Sequence, residues 1–575
     1  MPELARRCLA PVVLLVAALA IMAPAFQGGG YALRLATLAA IQAILAIGYQ
    51  TVFGRLGLLS LAQGAFFGIG AYATAFAATR FGVDASLTLP IAIAAATGIA
   101  AIVALPVLRL ASHYLALATL GLAQLALLAA VNLEAITGGA LGINNVPGLE
   151  LGGQAIARGW PLMATCWALA ALVAVAAWYR ASGLRGQAMD LAREDPVAAE
   201  ALGIDTRVLR LKAFLFAAAA AGLAGALHAH LLGIVSPEVL EFPVMVACLS
   251  MVVIGGRFSV AGAILGAVLV VHLPEYLRIT GAWYLAIYGA AMLAMILFAP
   301  EGIAGMAGRL VRRFVPARTA PLPRPIAPPA PQRAIGAKPI LALRGVTKRF
   351  GGVVALARVD LKIAPGELVG VIGPNGSGKT TLINTIAGLY KPDEGTIRLD
   401  AEDVAGARVF KVARAGVARG FQAPRLMDDR SVLDNVALAV RDAGAAEGRA
   451  VYWLDRLGLA DIAHRRSGDL PGGKRRLVEI ARAMAASPRL LLLDEPAAGL
   501  TPAEQATLAA TLGDLNREGL AILVVEHSVA FLSALTPRLV CLVEGRVVAD
   551  GPAERVIADP RVVEAYLGGR ERRRA

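Results

Sequence analysis

The sequence predicts a polytopic all-α membrane domain of eight to ten transmembrane helices followed by a separate α/β domain. Three observations carry that fold class. First, 575 residues with 57% hydrophobic content and a mean hydropathy of +0.66 exceed what one soluble globule can bury, so the excess must face lipid. Second, apolar stretches of about 17 to 25 residues, the length that crosses a hydrocarbon core as helix, recur up to about residue 300. Third, from Ile340 onward short β-branched or Leu-rich strands alternate with helices and Gly-rich turns, the mark of a mainly parallel sheet. The expected divisions are a membrane domain over 1–310, a linker over 311–338 and the α/β domain over 339–575.

The clearest spans cover roughly 8–26, 33–53, 57–79, 86–108, 112–131, 161–179, 212–234 and 281–299, and 243–273 reads as one or two. With ten spans, Arg6, Arg7, Arg55, Arg109, the cluster between Arg180 and Lys212, Arg257 and the run from Arg309 to Arg313 fall on one side. Only Arg34, Arg80, Arg158 and Arg278 fall on the other. Basic residues mark the cytoplasmic face, so both ends of this domain are expected there. The same topology accounts for the net charge of +14, which therefore points to membrane lipid and not to a nucleic-acid partner. Residues 1–26 also resemble a secretory signal, with Ala23-Pro24-Ala25 as its cleavage site. An uncleaved first span keeps the charge asymmetry and is the preferred reading.

Prolines 316, 321, 323, 325, 328, 329 and 331 favour extended polyproline geometry between the halves. Fully extended, that linker reaches roughly 70 Å. The four cysteines, Cys8, Cys166, Cys248 and Cys541, stand singly and read as small core residues. His228 and His230, two apart on a predicted helix, point to different faces and make a poor metal pair. Gly64 with Gly68, and Gly262 with Gly266, lie one helical turn apart and make flat faces for close helix packing, internal or between subunits. Gln63, Gln124 and Asn132 are the polar groups available to line a path.

Chemistry concentrates in the second half. Gly373-Pro374-Asn375-Gly376-Ser377-Gly378-Lys379-Thr380-Thr381 is a P-loop: its glycines let backbone N–H groups curl around phosphate oxygens, Lys379 neutralises the outer phosphates, and the Thr380 hydroxyl can ligate Mg²⁺. The run Leu490 to Leu493 reads as a buried strand that delivers Asp494 for Mg²⁺ and Glu495 for polarising the attacking water. Ala521 to Val525 reads as another strand, ending at Glu526-His527. His527 either reaches the γ-phosphate or is a surface histidine.

These residues, in this order from about 340 to 570, resemble the ABC ATPase family. The resemblance implies ATP and Mg²⁺ as ligands. It makes Phe350 the aromatic that stacks on adenine, and Gln422, in Gly420-Phe421-Gln422, the glutamine that contacts the metal and links the γ-phosphate site to the membrane domain. Leu470-Pro471-Gly472-Gly473-Lys474 is similar to the family's signature, and Gly499-Leu500-Thr501-Pro502 to the loop where two such ATPases face each other. Pro471 stands where the family has serine and Lys474 where it has glutamine. Proline supplies neither hydroxyl nor N–H, so the site this signature completes is expected to work in altered form.

In the first half, the run from Gly57-Leu58-Leu59-Ser60 through Gly70-Ala71-Tyr72, with Thr137-Gly138-Gly139 and Pro300-Glu301-Gly302, resembles the membrane subunits of branched-chain amino acid ABC importers. The resemblance implies a fused permease and ATPase acting as a half-transporter. Its implied partners are a second permease subunit, a second ATPase subunit and an extracytoplasmic substrate-binding protein. The stretch from Asp190 to Gly203 is similar to the importers' coupling loop. Ala198, Ala199 and Gly203 would present a small apolar surface to a groove near Gln422, with Glu200 and Arg193 fixing its orientation. Two other readings compete: an exporter homodimer, and a membrane-anchored ATPase that transmits force to an envelope partner.

Overall fold

A computed structural model describes residues 2–24, 29–110, 112–151, 154–314, 321–328, 338–400 and 402–571. Ala25 of the signal-like segment, Pro316, Pro329 and Pro331 of the linker, and Arg572 to Arg574 of the tail lie outside them. The chain divides into two compact units, Met1–Arg193 with Arg207–Ala320, and Glu194–Thr206 with Pro321–Ala575.

The first unit is helical. Among its described residues six helices are long and apolar enough to cross a bilayer: Gly30–Arg55, Ala85–Val107, His113–Asn132, Trp160–Ala181, Thr206–Leu232 and Val260–Gly281. Leu9–Ile21, Phe242–Gly255, Ala286–Met295 and Gly302–Val311 are apolar but shorter. The expected span over 57–79 is the 19-residue helix Gln63–Phe81; Gly57 turns the chain at φ 66°, and residues 57–62 are not helical. The stretch 243–273 is two helices, Phe242–Gly255 and Val260–Leu277. Gly256 ends the first at φ 115°, and the Ser259 side chain caps the second by accepting from the Gly262 N–H.

Helix Gly30–Tyr49 lies at the centre, packed on Trp160–Ala181 and on Val260–Leu277. Its Ile41, Ile44 and Ile47 join Phe66, Phe67, Phe214 and Leu227 in one buried core. The glycine pairs serve this internal packing. A Cβ on Gly68 would stand 2.2 Å from Leu240 Cδ2, and one on Gly266 1.9 Å from the Met251 carbonyl oxygen. Gln63 is buried and its amide donates to the Ala217 carbonyl at 3.0 Å, holding two helices together, while Gln124 and Asn132 are exposed. His230 is fixed between Thr88 Oγ1 and the Pro147 carbonyl, each at 2.8 Å. Cys166, Cys248 and Cys541 are buried and unbridged, as small core residues should be.

The second unit is α/β. Its main sheet places strands side by side in the order Val417–Gly420, Leu490–Asp494, Ala521–Val525, Leu368–Ile372, Arg538–Val543 and Arg546–Pro552. The first five run parallel and the last antiparallel. Strands Leu490–Asp494 and Ala521–Val525 are buried at every position, which is why they read as unbroken apolar runs. An antiparallel sheet containing Leu341–Phe350 and Val353–Ile363 forms a second layer. Part of the predicted linker belongs to this unit: the Ile326 N–H donates to the Gly448 carbonyl at 2.9 Å, and a Cβ on Gly448 would lie 2.6 Å from Ile326 Cδ1. Residues 321–328 therefore lie on helix Ala446–Arg456 instead of passing it as a free spacer, because Gly448 leaves a seat for an isoleucine.

Candidate functional site

Parallel strands end at one edge, and the loops leaving that edge collect the polar residues. Strand Leu368–Ile372 runs into the Gly373–Lys379 loop, and helix Lys379–Ile386 follows with Gly378 as its N-cap at φ 101°. Only glycine fits here. A Cβ on Gly373 would meet the Leu542 carbonyl oxygen at 2.1 Å, and one on Gly378 the Ala355 carbonyl oxygen at 2.4 Å. The Lys379 ammonium donates to the Gly373 and Pro374 carbonyls at 2.7 and 3.0 Å. Burial pushes its pKa below the usual lysine range, while Glu495 and Asp494 oppose that shift. Thr380 is exposed and Thr381 half-buried at the start of the helix, while Asn375 and Gly376 are exposed at the tip of the loop.

Across the edge, Glu495 takes a left-handed backbone at φ 48°, a costly conformation for glutamate, and its carboxylate is held from both sides. Gln422 Nε2 donates to Glu495 Oε2 at 2.8 Å, and His527 Nε2 lies 2.6 Å from Glu495 Oε1. The structure thus brings Gln422, Glu495 and His527 together, including the histidine whose role the sequence leaves open. Asp494 is buried, its carboxyl pushed above the usual range by burial, with Arg419 pulling it down. Its Oδ1 accepts no hydrogen bond among the described residues, and neither does the buried Ser377 Oγ. Unmet acceptors beside an ammonium suit a hydrated hard cation and a phosphate, so these residues fit the groups expected here.

Phe350 is 43% exposed, and its ring meets Tyr390 edge-on at 5.0 Å. The signature helix Gly472–Ala485 has Pro471 at its N-cap, with no side-chain capping bond. Pro471 contributes its carbonyl, which accepts from Arg475 N–H at 3.0 Å. Leu470 is buried, Gly472 exposed and Lys474 half-buried; a Cβ on Gly473 would lie 2.0 Å from Glu504 Oε1.

Several positioning residues escaped the sequence reading. Buried Glu479 accepts from the Phe421 N–H at 3.2 Å and from Arg476, which in turn donates to the Phe421 and Gln422 carbonyls. Burial raises the Glu479 pKa, with Arg476 and Arg482 opposing it. Glu526 holds the Ala497 N–H at 2.6 Å, fixing the turn after Glu495. Tyr566, on helix Pro560–Glu571, accepts from the Gly373 N–H at 2.8 Å, a link 193 residues long that no local pattern announces.

The coupling segment belongs to this unit. Asp195 caps helix Pro196–Ala201 by accepting from the Val197 and Ala198 N–H groups, and Ala198 and Ala199 are buried. Arg408 donates to Glu200 at 2.9 Å and to Asp205 at 3.1 Å, Arg425 to Asp195 at 2.8 Å, and Arg414 to the Gly203 carbonyl at 2.9 Å. Arg425 lies three residues from Gln422, so the expected groove is bounded by helix Val409–Arg414 and the Gln422 loop. Arg193 sits in the helical unit, where it donates to the Gly54 carbonyl at 3.4 Å and lies over the Phe258 ring.

Comparison with known proteins agrees with both halves. Residues 31–299 match the model of the branched-chain amino acid transport system permease component. Residues 356–498 match the ABC transporter model, and 546–572 the branched-chain amino acid ATP-binding cassette transporter model. The chain is 38% identical over 251 residues to the high-affinity branched-chain amino acid transport ATP-binding protein BraF of Pseudomonas aeruginosa, covering 40% of this chain and 98% of BraF. It is 37% identical to LivG of Escherichia coli, a protein of the same description, with the same coverage. A probable LivG of Archaeoglobus fulgidus is 34% identical, covering 40% of this chain and 96% of the relative. With a permease model over one half and ATP-binding relatives matched almost end to end over the other, the chain belongs to the branched-chain amino acid ABC transporter family, a permease fused to its ATP-hydrolysing subunit.

Proposed function

We propose that the protein is one half of an importer that uses ATP to carry branched-chain or related amino acids across the bacterial inner membrane. The observation that carries this reading is the arginine-held segment: residues of the permease sequence, Asp195 to Asp205, are bound by Arg408, Arg414 and Arg425 of the ATPase sequence. A change at Gln422 is thereby three residues from a group that grips the permease chain.

In this mechanism the P-loop N–H groups and Lys379 bind and orient the phosphates, and Phe350 packs on the base. Glu495 orients and activates the attacking water, with Gln422 and His527 holding its carboxylate and sensing the γ-phosphate. Thr380, Gln422 and Asp494 would hold Mg²⁺, which when bound neutralises charge on the transferring phosphoryl group. Gly472, Gly473 and Lys474 present donors and charge to the nucleotide of a second ATPase subunit. Two such subunits closing on ATP pull their coupling segments and open the path to an external binding protein; hydrolysis resets them.

The test is recovery of the detergent-solubilised chain from its own cells, with every copurifying protein identified by mass spectrometry. A second permease, a second ATPase and a binding protein are expected. This chain alone, at twice its monomer mass, would overturn the importer reading in favour of a homodimer.

A further inference from the structure

The helical unit contains a cavity of about 250 Å³ lined by Gly30, Arg34, Thr37, Arg158, Leu162 and Leu231, with Gly159 and Leu232 completing it. It opens where helices Gly30–Tyr49 and Trp160–Ala181 begin and Thr206–Leu232 ends. That is the end of both long helices remote from residues 182–206, the segment that joins them in sequence. Two of the four arginines that the topology assigns to the outer face, Arg34 and Arg158, converge on this single cavity.

Neither guanidinium has a hydrogen-bond or ion-pair partner among the described residues, and no carboxylate lines the cavity. Two like charges on one wall repel each other, and positive charge is scarce on this face of the membrane, so their convergence favours an anion between them. The remaining walls are apolar: Leu162 and Leu231 are buried, and the Thr37 hydroxyl is already committed to the Leu33 carbonyl at 2.8 Å. A planar fork of donors beside a leucine-lined wall is the complement of a carboxylate attached to an aliphatic group, and the volume is on the scale of a single free amino acid.

We infer that this cavity receives the transported amino acid on the outer face, with Arg34 and Arg158 binding its carboxylate and Leu162, Leu231 and Leu232 facing its side chain. The inference rests on the importer reading above.

Uptake of labelled L-leucine by cells carrying the full chain with its natural partners tests it, comparing wild type with R34Q/R158Q, and with R80Q as a control on an exposed arginine outside the cavity. Each protein is first shown to be present in the membrane at equal amount. Removing two charge-assisted contacts should lower maximal leucine uptake, measured with the binding protein saturated, about tenfold or more while ATP turnover persists, and R80Q should leave it unchanged. Undiminished maximal leucine uptake by R34Q/R158Q overturns the cavity assignment while leaving the importer standing. Absence of wild-type uptake of any branched-chain amino acid overturns both. A phospholipid that native mass spectrometry finds on wild type but not on R34Q/R158Q, with uptake unaltered, would assign the two arginines to a lipid phosphate and overturn the substrate assignment.

Discussion

Glu495 and Asp494 are adjacent carboxylates with different surroundings, and the difference separates their roles. Glu495 is held by Gln422 and His527, whereas Asp494 is buried with one oxygen unpartnered. Replacing Glu495 by Gln keeps the shape but removes the base, so ATP hydrolysis should fall about a hundredfold or more while ATP stays bound. Rapid turnover by that variant would remove Glu495 from its assigned role. For Asp494 the sign of the pH effect follows from burial. A carboxyl whose folded pKa is raised contributes stability below its unfolded pKa, about 4, and loses it as pH rises through the folded value. Asp494→Asn removes that loss. Without nucleotide, the variant should melt a few degrees higher than wild type near pH 7.5, with the gap closing toward pH 4, and should hydrolyse no ATP. Equal melting temperatures at neutral pH would contradict the burial account.

Helix Pro196–Ala201 shows how a short element with little stability of its own is placed by its neighbours. Two turns cannot sustain a helix in water, so its Asp195 cap and the three arginines define it. Reversing Arg408 to Glu sets three carboxylates together, and amino acid uptake should drop tenfold or more while ATP turnover persists. Adding Glu200→Arg should restore part of the uptake; a swap that restores nothing would count against the pairing. What was legible in the sequence divides along the same physical line. The P-loop, the Leu490–Asp494 strand and the small-residue coupling segment are contiguous patterns, so composition and spacing disclosed them. Glu479, Arg476 and Tyr566 act on residues about 55 to 193 positions away, and Arg408 grips an acid 208 positions back. Nothing local marks such pairs, although the acids Asp195, Glu200 and Asp205 could have been matched to the arginines around Gln422. One helix limit was misread where glycine intervenes, at Gly57 ahead of the Gln63 helix, while Gly256 divides in two the apolar run that the sequence left as one span or two.

At the scale of the whole molecule, residues 194–206 and the ATPase fold form one unit although the membrane helices and the Pro-rich segment separate them in sequence. The polar links between them include ion pairs that are only partly buried, and such pairs weaken in salt. Cutting an engineered protease site between residues 315 and 320, which leaves residues 321–328 with the ATPase half, should leave the halves associated at low ionic strength and release the ATPase half near 1 M salt. Retention at that salt would mean that the buried alanines, not the charges, hold the segment. Each of these partly buried ion pairs is worth about 1 kcal/mol, so the charges by themselves make only a weak joint.

Covalent connection offsets that weakness. Tethering makes docking an intramolecular event, with an effective concentration on the order of millimolar for a short linker. The seat that Gly448 offers Ile326 shortens the free tether further, by fixing residues 321–328 to the ATPase surface. A joint this weak can remain in place on one chain and still let go reversibly at each stroke, and an unattached ATPase from another transporter would compete for it poorly. Fusion therefore sets the fidelity of pairing by polymer statistics, leaving the contact itself free to be loose.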